Sequence, residues 1–249
     1  MDKARTKKAL SLAAIIALLI VLVALAFVPM FGSDPPAAAR SAEIDARAMT
    51  ALNNCEAYVE GHDFSCSVSG KIKARVFGIP LSQSLSGSRS VKNGEYTEIV
   101  ESSSAFVSAG QKKSVAGGAY YISDGKKGKG GFDYGEPRKL DRAEFAESYG
   151  KPFTGLTRYV LGSAVTSAAT IDDNTFRFTL DPTRATEYVK RAVKAALGAK
   201  TYPAYRSIEI TLVTDGERPV SVSAVERFDI DKFGGTSCVA EYKEEFRFN

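Results

Sequence analysis

The chain has 249 residues, with 33 Lys and Arg against 29 Asp and Glu, a formal net charge of +4, and 44% hydrophobic residues. That length suits one globular domain, or two small ones, beyond an N-terminal segment. Most of the excess charge lies in the first eight residues, where Lys3, Arg5, Lys7 and Lys8 face only Asp2; the remainder is near neutral and lacks the concentrated basic footprint that nucleic-acid binding requires.

Residues 9–33 carry no charge, and 9–28 read ALSLAAIIALLIVLVALAFV. As a helix rising about 1.5 Å per residue, this run reaches roughly 30 Å, the hydrocarbon thickness of a bilayer. The basic leader 1–8 precedes it. The positive-inside rule therefore predicts a single-pass signal anchor at 9–28 in the cell membrane, with the N-terminus cytoplasmic and a domain at 34–249 outside. The alternative is a cleaved signal peptide, with small-x-small sites ending at Ala26 or Ala39. The first site lies inside the apolar run, and the run exceeds the roughly 7–15 residues of a secretory core. No cysteine ends the run, which excludes lipid attachment there.

Ser33-Asp34-Pro35-Pro36 predicts a helix start, and Ile44, Ala48, Leu52, Cys55 and Val59 form one apolar stripe, giving a helix over 35–60 that Gly61 closes. From Phe64 to Val76 apolar residues alternate with serines and basic residues, predicting a long strand with one wet face. Leu81, Leu85 and Val91 alternate with serines in a second strand, and Asn93-Gly94 signals a tight hairpin. Residues 96–107 and 114–123 predict two more strands, with Ala109-Gly110 between them and a loop over 124–135. Short helices are predicted at 140–149 and 155–161, and a strand at 176–180. A helix over 183–197, capped by Thr183, carries the stripe Ala185, Tyr188, Val189, Ala192, Val193, Ala196 and Leu197. Three strands end the chain, turning at Asp215-Gly216 and Gly234-Gly235.

Short turns make neighbouring strands antiparallel, and the two amphipathic helices are available to cover the apolar strand faces. The predicted fold class is α+β: a curved antiparallel half-barrel of about eight strands with helices packed on its concave face, behind a transmembrane helix. The helix 35–60, the serine-rich strand pair 63–91, the run GGAYYISDGKKGKGGF, the helix 183–197 and the hairpin SIEITLVTDGERPVSVSAVERFDI come in an order that resembles the half-barrel envelope proteins typified by the LolA carrier and the LppX/LprG lipoproteins. The resemblance implies an apolar cavity for acyl chains between sheet and helices. It fixes no site residue, and an anchor helix in place of a lipobox argues against a shuttling carrier.

No motif calls for a catalytic centre, a metal or a cofactor. His62 is the only histidine, at a helix-to-strand turn with no nucleophile-elbow sequence elsewhere. Cys55, Cys66 and Cys238 lack zinc-ligand spacing and project to apolar faces; one disulfide among them and three buried free thiols are the two open readings. The Gly125–Gly131 run with Lys126, Lys127 and Lys129 departs from the Walker pattern, since Gly130 stands where Ser or Thr should be. It reads as a solvated hairpin tip or a contact to anionic headgroups. Lys190, Arg191 and Lys194 form a second basic face. Asp172-Asp173 reads as a turn, and Glu244-Glu245 points to opposite strand faces, which excludes a glycosidase pair. Glu226 and Glu244 fall on otherwise apolar faces, either in a polar patch inside or at an exposed strand end.

The functional expectation is a membrane-anchored, non-enzymatic envelope protein that binds a lipid or other apolar ligand in a sheet–helix cavity. The alternative is an envelope interaction or sensing module with a filled core. An open cavity lined by Phe, Leu and Val selects the first; a filled interior selects the second.

Overall fold

A computed structural model of the chain describes residues 44–76, 79–105, 108–149, 152–159, 164–197, 202–230 and 236–248. Among the described residues twelve strands form one sheet: β1 Phe64–Val76, β2 Ile79–Lys92, β3 Glu95–Ser104, β4 Ser108–Ala116, β5 Ala119–Gly128, β6 Gly131–Tyr134, β7 Arg138–Leu140, β8 Val165–Thr170, β9 Thr175–Leu180, β10 Pro203–Asp215, β11 Arg218–Ile230 and β12 Thr236–Phe248. Their order is β6-β5-β4-β3-β2-β1-β12-β11-β10-β9-β8, with β7 also paired to β5. Every neighbouring pair is antiparallel. The chain's last strand closes against its first long one, so β1 and β12 lie at the centre. Among the described residues the helices are α1 Ala46–Gly61, α2 Arg142–Tyr149 and α3 Pro182–Leu197.

The half-barrel of about eight strands is corrected. The sheet has twelve strands and is open, ending in β6 and β7 on one side and β8 on the other. The miscount has a backbone cause. Gly117 and Gly118 both take positive φ, 56° and 75°, and turn the chain between β4 and β5, where the sequence reading ran one strand through. Ala109 and Gly110, expected between strands, lie inside β4. The expected loop 124–135 is the hairpin β5–β6, in which Phe132 and Tyr134 lie over Gly110 and Gly125.

Among the described residues no helix is long and apolar enough to cross a membrane. The longest, α1 and α3, have 16 residues, about 24 Å at 1.5 Å per residue, and both carry charges. The anchor expected at 9–28 lies outside the described residues. The structure thus gives no support to the signal anchor, the single-pass cell-membrane location, the extracytoplasmic placement or the membrane as a partner, and these expectations are withdrawn.

Helix α1 begins at Ala46, and the start expected at 33–36 lies outside the described residues. Asp45 is its cap, in extended conformation, with one carboxylate oxygen accepting from the Arg47 N–H (2.8 Å) and the other from the Thr170 N–H (2.9 Å). Ile44 precedes the helix in a parallel bridge to Ala168 on β8. Ala48, Leu52, Cys55 and Val59 are buried, as the spacing predicts, and pack across β8–β11. For α3 the cap is Asp181, one residue before Pro182, and not Thr183; Asp181 Oδ1 accepts from the Thr183 N–H at 2.9 Å.

The main core lies between α1 and one face of β8–β12 and β1, with Phe178, Leu180, Ile208, Ile210 and Leu212 completely enclosed. Side chains of this size each contribute roughly 1.5–3 kcal/mol on burial. A smaller cluster of Ile122, Leu140 and Phe145 seats α2 on the far end of the sheet.

Candidate binding site

The face that carries α1 is apolar only over part of its width. Across β2, β3 and β4 the register sets Arg89 opposite Glu98 and Glu98 opposite Lys113. On β12 and β11 the same face carries Glu244, Tyr242 and Glu226. These charges are matched, and all but the partly buried Glu244 are buried. Arg89 donates to Glu244 at 2.8 Å and Lys113 to Glu98 at 2.9 Å; Tyr96 also donates to Glu98, and Arg158 to Glu226. Burial and the Glu98 charge push the Tyr96 phenol well above its ordinary value. Burial opposes the Arg89 cation, but Glu244 and other anionic neighbours outweigh it and hold its affinity for the proton above the usual arginine value.

Against Arg89, Glu226 and Tyr242 of this row lies a strap, residues 152–159, without helix or strand. The expected helix 155–161 does not form over 155–159. Leu156, Thr157, Arg158 and Tyr159 of the strap are all buried. Two arginines hold it. Arg89, from the sheet, donates to three strap carbonyls, Phe153 (3.2 Å), Gly155 (2.6 Å) and Leu156 (3.4 Å), with its guanidinium 4.4 Å from the Phe153 ring. Arg158, from the strap, lies between the rings of Tyr242 and Tyr159, 4.2 and 4.6 Å from their centroids, and donates to Glu226, which also accepts from Tyr159. Gly70 makes room for Tyr242: a Cβ there would lie 2.6 Å from its ring. The Thr157 hydroxyl is buried and has no hydrogen-bond partner.

Where the strap begins, a cavity of about 460 Å³ opens between Thr154, the end of α1 and the β2–β3 turn, lined by Val59, Glu60, His62, Asp63, Val91 and Gly94 among others. The cavity beside Thr154 does not have the expected lining of Phe, Leu and Val: it is rimmed by Glu60, His62 and Asp63, while among the described residues Phe64 and Phe246 lie beside Arg89, with Leu156 and Phe153 of the strap packed around the same site. His62 is a turn residue: its Nδ1–H donates to the Tyr58 carbonyl at 2.8 Å and its ring stacks on Tyr58. Asp63 accepts from the Asn93 N–H in the β2–β3 turn.

Cys55, Cys66 and Cys238 are free and buried. Burial pushes each thiol up to about 12. Cys66 faces Phe246 and Cys238 faces Ala74 on the same strand pair, eight positions apart, or about 26 Å at 3.3 Å per residue. No bridge can span that distance. Lys126, Lys127 and Lys129 are exposed at the β5–β6 hairpin, Lys127 donating to Ser103 at 2.9 Å. Lys190 pairs with Glu187 on α3; the side chains of Arg191 and Lys194 lie outside the described residues. Glu226 and Glu244 occupy the interior, as one of the two readings had it. Sequence reasoning missed their partners Arg89 and Arg158, and the Glu98–Lys113 pair. A signal existed: Arg89 shares the parity of Leu85 and Val91, and Glu98 that of Tyr96 and Val100.

No protein-family model matches the chain, and no curated protein matches its sequence. Three solved structures share a distant likeness. A DUF1329 family protein from Desulfovibrio piger is 8% identical, over 81% of this chain and 93% of that one, with a TM-score of 0.32. The ywiB protein from Bacillus subtilis is 8% identical over 75% and 93%, at 0.25. A LolA superfamily protein from Nitrosomonas europaea is 10% identical over 81% and 93%, at 0.24. Scores this low mark a remote similarity of architecture and carry no inference about activity.

Proposed function

We propose that this chain is a non-catalytic binding domain whose recognition surface is the strap-covered inner face of the sheet, β2 with β11 and β12. The observation that carries this reading is how the strap is held. A segment with no secondary structure of its own is fixed by a sheet arginine that grips its main chain and by its own arginine inserted among sheet side chains. That is how a groove holds an extended ligand, and the strap is its resident in the closed state. The unpartnered Thr157 hydroxyl costs the closed state about 1–3 kcal/mol. The cavity beside Thr154 gives an incoming group a foothold at the strap's edge. The ionisable side chains of this face are engaged with one another, whereas catalysis needs polar groups converging on an accessible reacting atom.

Native-state hydrogen exchange tests the reading. The strap amides should exchange through a local opening, at lower free energy than those of β10 and β11, and Arg89→Ala should speed exchange of the strap selectively. Strap amides that exchange only with global unfolding would make the strap a permanent part of the core and end the proposal.

A further inference from the structure

Arg158 does more than fill space, because the sheet provides a shaped receptor for it. Glu226 on β11 supplies the carboxylate, Tyr242 on β12 a ring face, and Tyr205 on β10 lies close enough to feel both charges. These groups belong to the scaffold and stay when the strap leaves. A planar, delocalised cation stacked on a ring and hydrogen-bonded to a carboxylate is a specification for arginine; a lysine ammonium has the charge but neither the plane nor the fork. Next to it, Tyr159 donates to the same carboxylate, so the pair is read as arginine followed by an aromatic hydroxyl. Arg89, in contrast, holds the strap mainly through the carbonyl oxygens of 153, 155 and 156, with the Phe153 ring its one strap side-chain contact, 4.4 Å away.

From this division we infer that the inner face recognises an extended peptide segment of a partner protein, gripped through its main chain by Arg89 and selected by an Arg-Tyr pair that enters the Glu226–Tyr242 slot; the strap 152–159 is the intramolecular copy of that ligand. The inference rests on the reading of this face as a recognition surface. An empty slot would leave the Glu226 carboxylate without its cation, which favours occupation by one segment or the other. Strap and partner peptide therefore compete.

The test uses the full chain with Arg158→Ala and Tyr159→Ala, which vacates the slot, and a fluorescent synthetic peptide of sequence PFTGLTRY, read by anisotropy. The vacated chain should bind it at least about tenfold more tightly than the unaltered chain, whose slot is filled. Replacing the peptide's arginine by lysine, or adding Glu226→Gln to the vacated chain, should each weaken binding about tenfold or more. Equal binding of the lysine peptide, or no binding by a vacated chain that is folded by circular dichroism, overturns the inference. Should the vacated chain fail to fold, refolding it from urea with the peptide present decides: recovered structure with the arginine peptide alone supports the slot, and no recovery with either peptide refutes it. Hydrogen exchange separates the two levels. A strap that opens locally but no peptide binding defeats the inference alone; a strap that never opens defeats the underlying reading.

Discussion

The two halves of the inner face solve the same burial problem with different chemistry. Over β8–β11, α1 presents Ala48, Leu52, Cys55 and Val59 to Phe178, Ile208, Ile210 and Leu212, and the contact is wholly apolar. Over β2, β12 and the Glu226 end of β11, the cover is an irregular strap fastened by buried ions. An apolar contact is non-directional and tolerates small shifts. A buried ion pair is directional: it stabilises little relative to a well-packed apolar substitute, yet losing one partner is severe. The helix-covered half is therefore suited to permanence. The strap-covered half is suited to a segment that is either correctly seated or absent.

The largest effect should come from breaking the ionic half. Glu226→Ala strands the Arg158 cation and should lower stability by roughly 3–5 kcal/mol in urea titration; the pair Arg158→Met with Glu226→Leu should recover most of that loss. In the helix-covered half, Phe178→Ala should cost a similar or slightly smaller amount, about 3–4 kcal/mol, with no selective change in strap exchange. If Phe178→Ala instead loosened the strap first, the halves would not be separable.

The cysteines sharpen the contrast through pH. Each thiol titrates near 12 in the fold against 9.0 for the ordinary group. Between these values the unfolded chain has lost the proton and the folded chain keeps it, so this contribution is intact below about pH 9 and fades as pH rises through 12. Denaturation midpoints measured from pH 8 upward should fall, and iodoacetamide at pH 8 should label the folded chain far more slowly than the unfolded one. A smaller effect of opposite sign is expected in the strap: Thr157→Val removes the unpartnered hydroxyl and should stabilise by about 1 kcal/mol while slowing strap opening. Smallest of all, Lys73→Ala at the exposed pair with Glu241 should change stability by less than about 1 kcal/mol, as for most surface pairs.

Legibility followed the same boundary. The β1 alternation, the β2–β3 turn at Asn93-Gly94 and the stripe of α1 were readable because each depends on local period or local dihedrals. The glycine turn at 117–118 was missed because GGAY continues an apolar pattern, and β6, β7 and β8 because they are short strands whose pairing depends on neighbours distant in sequence. Glu226 and Glu244 could be flagged as misplaced charges. Their partners could not be named, since Arg158 lies 68 residues from Glu226 and Arg89 lies 155 from Glu244.

The sequence alone determined an α+β domain with antiparallel strands, the amphipathic face of α1 and the inward projection of three cysteines, because hydrophobic periodicity and turn stereochemistry act over a few residues. Only the tertiary structure decided that the sheet has twelve strands in an open order, that the cysteines stay unbridged, and that a strap with its own arginine lies against the charged row. Those outcomes depend on which strands become neighbours, and burial makes a charge tolerable only where the fold brings its counter-ion.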